Sequence, residues 1–194
     1  MPIPHARERS MGRTAGRGPD DTKRLILDAA KGVVVAQGAR ATLDDVAVAA
    51  GLTRGAVIYH YSSKNALWLA LAQDVTERFH RDVEDLLEDG DEPGRLARAF
   101  VRASLEGDNI DTVGERLFLL SALASAPGVA ELVAEDGARW KIAMAEDGLT
   151  VGARTVIANA VDGAGLMTGW GLKPERDELL ALRTELESLT ATGR

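Results

Sequence analysis

Cysteine is absent from the chain, so neither a disulfide framework nor a thiolate site is available to it. Histidine is nearly absent: His5, His60 and His80 fall in separate segments and cannot form a metal triad by spacing. No nucleophile motif and no phosphate-cradling glycine loop occurs, so the expectation is a protein that is not an enzyme and needs no cofactor and no metal. There is no run of about 18 apolar residues, and the N-terminus lacks the apolar core of a signal peptide. These two absences predict a cytoplasmic protein without a membrane partner. Aromatic residues make up only 4% of the chain, no strand alternation or internal repeat is visible, and Ala and Leu dominate, a composition that favours helix. At 194 residues the chain is long enough to bury a substantial core.

Charge is unevenly placed. The formal net charge of −7 conceals an excess of +3 over residues 1–80, with 11 Lys/Arg against 8 Asp/Glu, and of −10 over the remainder, with 12 against 22. Positive charge is therefore concentrated where a nucleic-acid phosphate would have to be met, and the acidic remainder would repel one. This is the signature of a two-part molecule.

The positive part contains its most informative stretch, residues 42–67. Leu43, Val46, Ala47 and Ala50 recur at i, i+3, i+4 and i+7, which predicts a short helix over 43–50. Thr42 and Asp45 fit a capping box at its start. Gly51 permits a sharp exit, Leu52 plugs the corner, and Thr53 is placed to cap a second helix over 54–61. There Val57 and Tyr61 share an inner face, leaving Arg54, Gly55, Ile58 and Tyr59 outside. The spacing is that of a helix-turn-helix, with the second helix as reader of a major groove.

This stretch resembles the DNA-binding signature of the TetR family of bacterial transcriptional regulators. The resemblance is carried by Thr42, Asp45, Val46, Ala47, Ala50, Gly51, Leu52, Thr53, Gly55, Val57, His60, Ser63, Lys64 and Leu67, with Arg24, Ile26, Leu27, Ala29, Ala30 and Gly38 matching upstream. It covers residues 22–70. Ile58 stands where the family usually has a phosphate-contacting tyrosine, with Tyr59 as substitute, and Tyr61 replaces the usual phenylalanine. The resemblance implies double-stranded operator DNA as a partner. Thr42, Thr53, Tyr59 and Lys64 are expected on the backbone and Arg54 on a base, with Gly55, Ile58 and His60 on the same surface.

Taken in order, residues 1–18 read as a disordered basic arm whose Arg7, Arg9, Arg13 and Arg17 suit an adjacent minor groove; an unstructured leader is the plain alternative. A helix capped by Asp20 is expected to run to residue 37, and Gly38 stops it. A long helix over 64–89 carries Leu67, Leu71, Val75, Phe79, Val83 and Leu87 at intervals of four and spans roughly 39 Å. The acidic cluster from Asp82 to Glu92 reads as a solvated face and linker. Further helices are expected over 93–106, 113–125, 129–147, 151–170 and 175–190. The predicted fold is all-α with about nine helices. It divides into a helix-turn-helix DNA-binding domain over 19–66 and a helical ligand-binding and dimerisation bundle over 67–194.

Two readings of that bundle follow. Leu179, Leu182, Leu186 and Leu189 repeat at 3–4–3 spacing, a heptad seam. Ile157, Ala160 and Ala164, with glycines 163, 165 and 169, suit a close helix approach. Packing within one protomer accounts for either helix singly; the resemblance, to a family that pairs these helices, implies a homodimer. A two-fold dimer calls for a near-palindromic operator with half-sites about 34 Å apart or a simple relative of that spacing. The resemblance also implies a repressor released by a small-molecule effector. Phe100, Leu117, Leu120, Ser121, Trp140, Met144 and Met167 are candidate lining for a largely apolar ligand. Arg116, Asn159 and Asp162 are its candidate polar contacts. The alternative is a constitutive or architectural DNA-binding protein with no small-molecule input.

Overall fold

The computed structural model describes residues 18–107 and 109–191; the basic arm with its four arginines lies outside the described residues. Among the described residues there are nine α-helices and one 3₁₀ turn: α1 (Pro19–Gln37), the turn Gly38–Arg40, α2 (Leu43–Ala50), α3 (Arg54–His60), α4 (Lys64–Glu84), α5 (Arg95–Leu105), α6 (Asn109–Leu123), α7 (Val129–Glu146), α8 (Val151–Gly169) and α9 (Arg176–Thr190). None of these helices is long and apolar enough to cross a membrane.

Helix ends differ from expectation for identifiable reasons. At the start of α1 the cap is Gly18, whose N–H donates to the Asp21 carboxylate at 3.2 Å. Pro19 takes the first helical position, which needs no amide hydrogen, and Asp20 falls inside the first turn. Helix α4 stops at Glu84 and not near residue 89. Glu84, Asp85, Glu88 and Asp89 would gather negative charge at the C-terminal end, where the helix dipole disfavours it. Helix α5 begins at Arg95 because Asp147, at the end of α7, caps it from outside. The Asp147 carbonyl accepts from Gly94 N–H at 2.8 Å, and its carboxylate accepts from Ala97 N–H at 3.0 Å. Gly94 has φ +82°, and a Cβ there would lie 2.2 Å from the Thr190 carbonyl oxygen, so only glycine fits.

Two apolar cores stack along the molecule. The first joins Ile26, Val34, Val46, Val57, Leu67 and Leu71 to Leu119 and Leu123 of α6. The second joins Phe79 and Val83 to Phe100, Val101, Ile110, Val113, Met144, Ile157 and Leu186. Helix α4 serves both, Leu67 to Val75 in the first and Phe79 and Val83 in the second. Helix α6 does the same in the opposite direction.

The leucine seam of α9 faces inward, which corrects its placement on a subunit interface. Leu179 and Leu186 (2% exposed) are buried in the second core, and Leu182 and Leu189 pack half-buried against it. Ile157 is fully buried there, and Ala160 and Ala164 pack beside it. Heptad spacing defines which residues share a face but not what that face meets. Here it meets α5, and ion pairs rim the contact: Arg102 to Glu187 at 3.1 Å and Arg183 to Glu106 at 3.4 Å. Gly165 likewise serves this chain and not a partner. A Cβ on Gly114 of α6 would come 2.8 Å from the Gly165 carbonyl oxygen, and one on Gly165 would come 2.6 Å from Val113 Cγ1.

The crossing of α6 and α8 therefore depends on two facing glycines. Gly114→Ala meets backbone that cannot step aside and should cost about 1–3 kcal/mol, lowering the melting temperature by several degrees. Gly32→Ala, on an open face of α1, should be neutral or gain up to about 1 kcal/mol in helix propensity. Thermal denaturation of both variants checks the contrast; equal melting temperatures would mean that the helices do not cross this closely.

Candidate nucleic-acid interface and effector cavity

The reader unit is set by local hydrogen bonds. Thr42 N–H donates to the Asp45 carboxylate at 2.9 Å and Asp45 N–H to the Thr42 hydroxyl at 3.2 Å, which closes the predicted capping box. The Thr42 hydroxyl proton also goes to Asp45, at 2.6 Å. That hydroxyl first, then the Thr42 amide, holds the Asp45 carboxyl below its ordinary range. Gly51 leaves α2 with φ +65°, and Leu52 N–H reaches back to the Ala47 carbonyl at 2.9 Å. The Thr53 hydroxyl caps α3 by accepting from Ala56 N–H at 3.2 Å, and the Ser63 hydroxyl caps α4 by accepting from Ala66 N–H at 3.1 Å. Val46, Ala47, Ala50 and Val57 anchor the pair of helices from below.

The outer face then carries what the spacing predicts. Tyr59 is 84% exposed, and Arg54, Gly55 and Ile58 are exposed beside it. His60 is half-buried with its ring edge-on to Tyr59 at 5.1 Å. Arg54 is paired with Asp44 at 3.0 Å, an exposed contact that holds the guanidinium at little cost to release. Lys64 is less free than its sequence position suggests. Its ammonium donates to the Ala39 carbonyl at 3.2 Å and lies over the Trp68 ring at 5.6 Å, bracing the 3₁₀ turn. The hydroxyls of Thr42 and Thr53 differ in one respect: that of Thr42 donates to Asp45, whereas that of Thr53 only accepts.

On the far side of α4 lies a cavity of about 540 Å³, walled by side chains of α4 to α8. It brings together Phe100, Arg116, Leu117, Leu120, Trp140 and Met144 of the predicted lining, with Asn159 and Asp162 on its wall. Ser121 and Met167 are not part of it. Both are exposed to solvent, because each lies on the outward side of its helix. The sequence reading missed Thr76, Val133, Asp136 and Arg154 on the wall. Asp136 had a usable signal: it precedes Trp140 by four residues and so shares its helix face.

Polar groups in this wall are few and specific. Asp136 is buried and 2.6 Å from His80 Nε2. The His80 ring stacks flat on Trp140, with centroids 4.3 Å apart. Phe79, Phe100 and Trp140 pack edge to face at 5.1–5.7 Å. The Arg116 guanidinium lies over the Phe79 ring at 4.1 Å. Arg116 Nε and Trp140 Nε1 are buried without a hydrogen-bond partner. Burial lowers the Arg116 pKa, opposed by the attraction of Asp162 and Asp136, and burial raises that of Asp162, opposed by Arg116. Among the described residues no group of three His, Asp or Glu side chains converges as a metal site would require.

Comparison with known proteins places both halves. Residues 26–71 match the family model described as bacterial regulatory proteins, tetR family, and residues 94–191 match the model described as tetracyclin repressor-like, C-terminal domain. Over 55 residues, 28% of this chain, the sequence is 47% identical to the HTH-type transcriptional regulator SrpR of Pseudomonas putida and to the uncharacterized HTH-type transcriptional regulator TtgW of the same species. The matched stretch spans 26% and 41% of those two proteins. A transcriptional regulator from Rhodococcus sp. Rha1 shares the fold with a TM-score of 0.71 and 20% identity, over 88% of this chain and 96% of that one. With one family model on the reader helices and another on half of the chain beyond them, this protein belongs to the TetR family of bacterial regulators.

Proposed function

We propose that the protein is a DNA-binding transcriptional regulator: a homodimeric repressor released from a near-palindromic operator by a small, largely apolar effector. The observation that carries this reading is the shared helix α4, whose first turns pack the reader unit while Phe79 and His80 further along contact the rings that border the cavity. Residues 19–66 do the reading, and residues 67–194 take the effector and the second subunit. A constitutive or architectural binder has no use for a 540 Å³ cavity lined largely by apolar side chains with Arg116 and Asp162 among them.

Within the reader, Arg54 exchanges Asp44 for a guanine edge. Thr53, whose hydroxyl proton is unspent, and Tyr59 take phosphates, while Gly55, Ile58 and His60 border the groove. Thr42 contributes through its cap, and Lys64 braces the turn beside any phosphate it meets.

The subunit contact falls on the outward faces of α8 and α9. Val156, Leu166, Met167, Trp170 (69% exposed) and Leu180 lie there uncovered in the single chain, and Gly163 has open space where a Cβ would project. An apolar row of this kind is what a second copy would cover.

Arg54→Ala should cost about 1–3 kcal/mol of operator affinity and relax one base position. Binding to a systematically varied operator set checks this, and an equal loss on all sequences would remove Arg54 from base reading. Leu180→Glu should give a folded monomer in sedimentation and a collapse of operator affinity. Leu186→Glu should unfold the protein, since it buries an unpaired charge. A Leu180→Glu chain that remains dimeric at micromolar concentration places the interface elsewhere.

A further inference from the structure

The second cavity of the molecule, about 510 Å³ between α1, α4, α5 and α6, is bordered by several charged side chains that are paired within the chain. Lys31 is paired with Glu115, and Arg78 with Asp28 and Asp74. Arg116, which lines both this cavity and the effector cavity, is not satisfied in that way: its guanidinium lies on the Phe79 ring, its Nε is buried and unpartnered, and among the described residues no carboxylate lies within ion-pair distance of it. A largely buried cation that no carboxylate contacts is costly, and a structure that keeps one is poised to receive an anion. Trp140 adds a second buried donor with nothing to donate to, beside the same Phe79 ring. The carboxylates nearby do not answer this need. Asp136 is engaged by His80 at 2.6 Å, and although Asp162 and Asp136 both attract Arg116, neither forms an ion pair with it. Counting Arg116, Lys141 and Arg154 against Asp136 and Asp162, the wall has an excess of one positive charge.

We infer that the effector is an amphipathic organic acid. Its carboxylate accepts from the terminal N–H groups of Arg116, and its apolar or aromatic body lies along Leu117, Leu120, Phe100 and Met144. This rests on the proposed regulator function and narrows it from any apolar ligand to a monoanionic one. A charge-assisted contact to a planar guanidinium favours carboxylate over a neutral oxygen acceptor, both in strength and in bidentate geometry. The site is also well placed to transmit occupancy. Arg116 belongs to α6 but rests on Phe79 of α4, so an anion that draws the guanidinium off that ring acts directly on the helix leading to the reader.

The test is calorimetric titration of the full chain with probes that share a body and differ in head group. The probes are decanoate, decanol and decylamine, each below its micellar or solubility limit, with naphthoate and naphthol as an aromatic pair. The inference predicts that the acid of each set binds at least tenfold more tightly than its alcohol and that decylamine binds weakest. Arg116→Gln should erase the preference for acid while retaining affinity for the alcohol. The ranking on the unmodified chain decides the matter even if that variant fails to fold. If decylamine binds best, Asp162 governs the site and the inference is wrong. If acid and alcohol bind equally, the anionic effector is excluded while an apolar effector stands. If no probe binds up to its solubility limit, the effector cavity itself is refuted, and the proposed release mechanism with it.

Discussion

The buried stripe of α4 is the constraint on which the other parts depend. Leu67 and Leu71 are held among the reader helices, and Phe79 and Val83 among the helices that wall the cavity, along one continuous helix of about 31 Å at 1.5 Å per residue. Nothing in this helix offers a hinge: it contains neither proline nor glycine. Helix α6 runs alongside with the reverse allegiance, since Leu119 and Leu123 close the reader core while Ile110 and Val113 belong to the other. A displacement of either helix at the cavity must therefore reach the reader, because close-packed interiors transmit strain instead of absorbing it.

Electrostatics gives the two halves opposite characters. Reader charges are exposed and provisionally paired, as in Arg54 with Asp44, so exchanging one partner for another costs little in high dielectric. In the effector cavity Asp136 is buried and Arg116 Nε is shut off from solvent, and there an absent partner is felt more strongly. Two of the unsatisfied buried donors, Arg116 Nε and Trp140 Nε1, belong to residues that line the effector cavity, and a third, Arg183 Nε, lies on α9. His80 and Asp136 show the satisfied form of the same chemistry one turn away.

Much of this was legible in the sequence, and the boundary between what was and what was not is physical. The helix-turn-helix could be read residue by residue because its determinants are local: the Thr42–Asp45 box, the left-handed Gly51 and the Thr53 cap each act within four positions. The lining residues Phe100, Leu117, Leu120, Trp140 and Met144 followed from the family resemblance, which implies a cavity among the middle helices, together with the apolar residues those helices carry. Periodicity failed where the question was which neighbour a face meets. It identified the α9 leucines as one seam but could not choose between α5 and a second subunit, and it could not see that Gly165 faces Gly114. Ser121 and Met167 were misplaced for the same reason, a helix face assigned without its neighbour. The external cap on α5 by Asp147 is a contact across 50 residues and leaves no local trace.

The central claim is that the reader is not an independent module, because α4 and α6 complete its core. Native-state hydrogen exchange tests it directly and needs no ligand. Amides in α1 at Val34, in α4 at Val75 and in α6 at Leu119, all buried in one core, should open with a common free energy and a common denaturant dependence. If α1 to α3 open at distinctly lower free energy while α4 and α6 stay protected, the reader folds on its own and the proposed coupling through the shared core is contradicted.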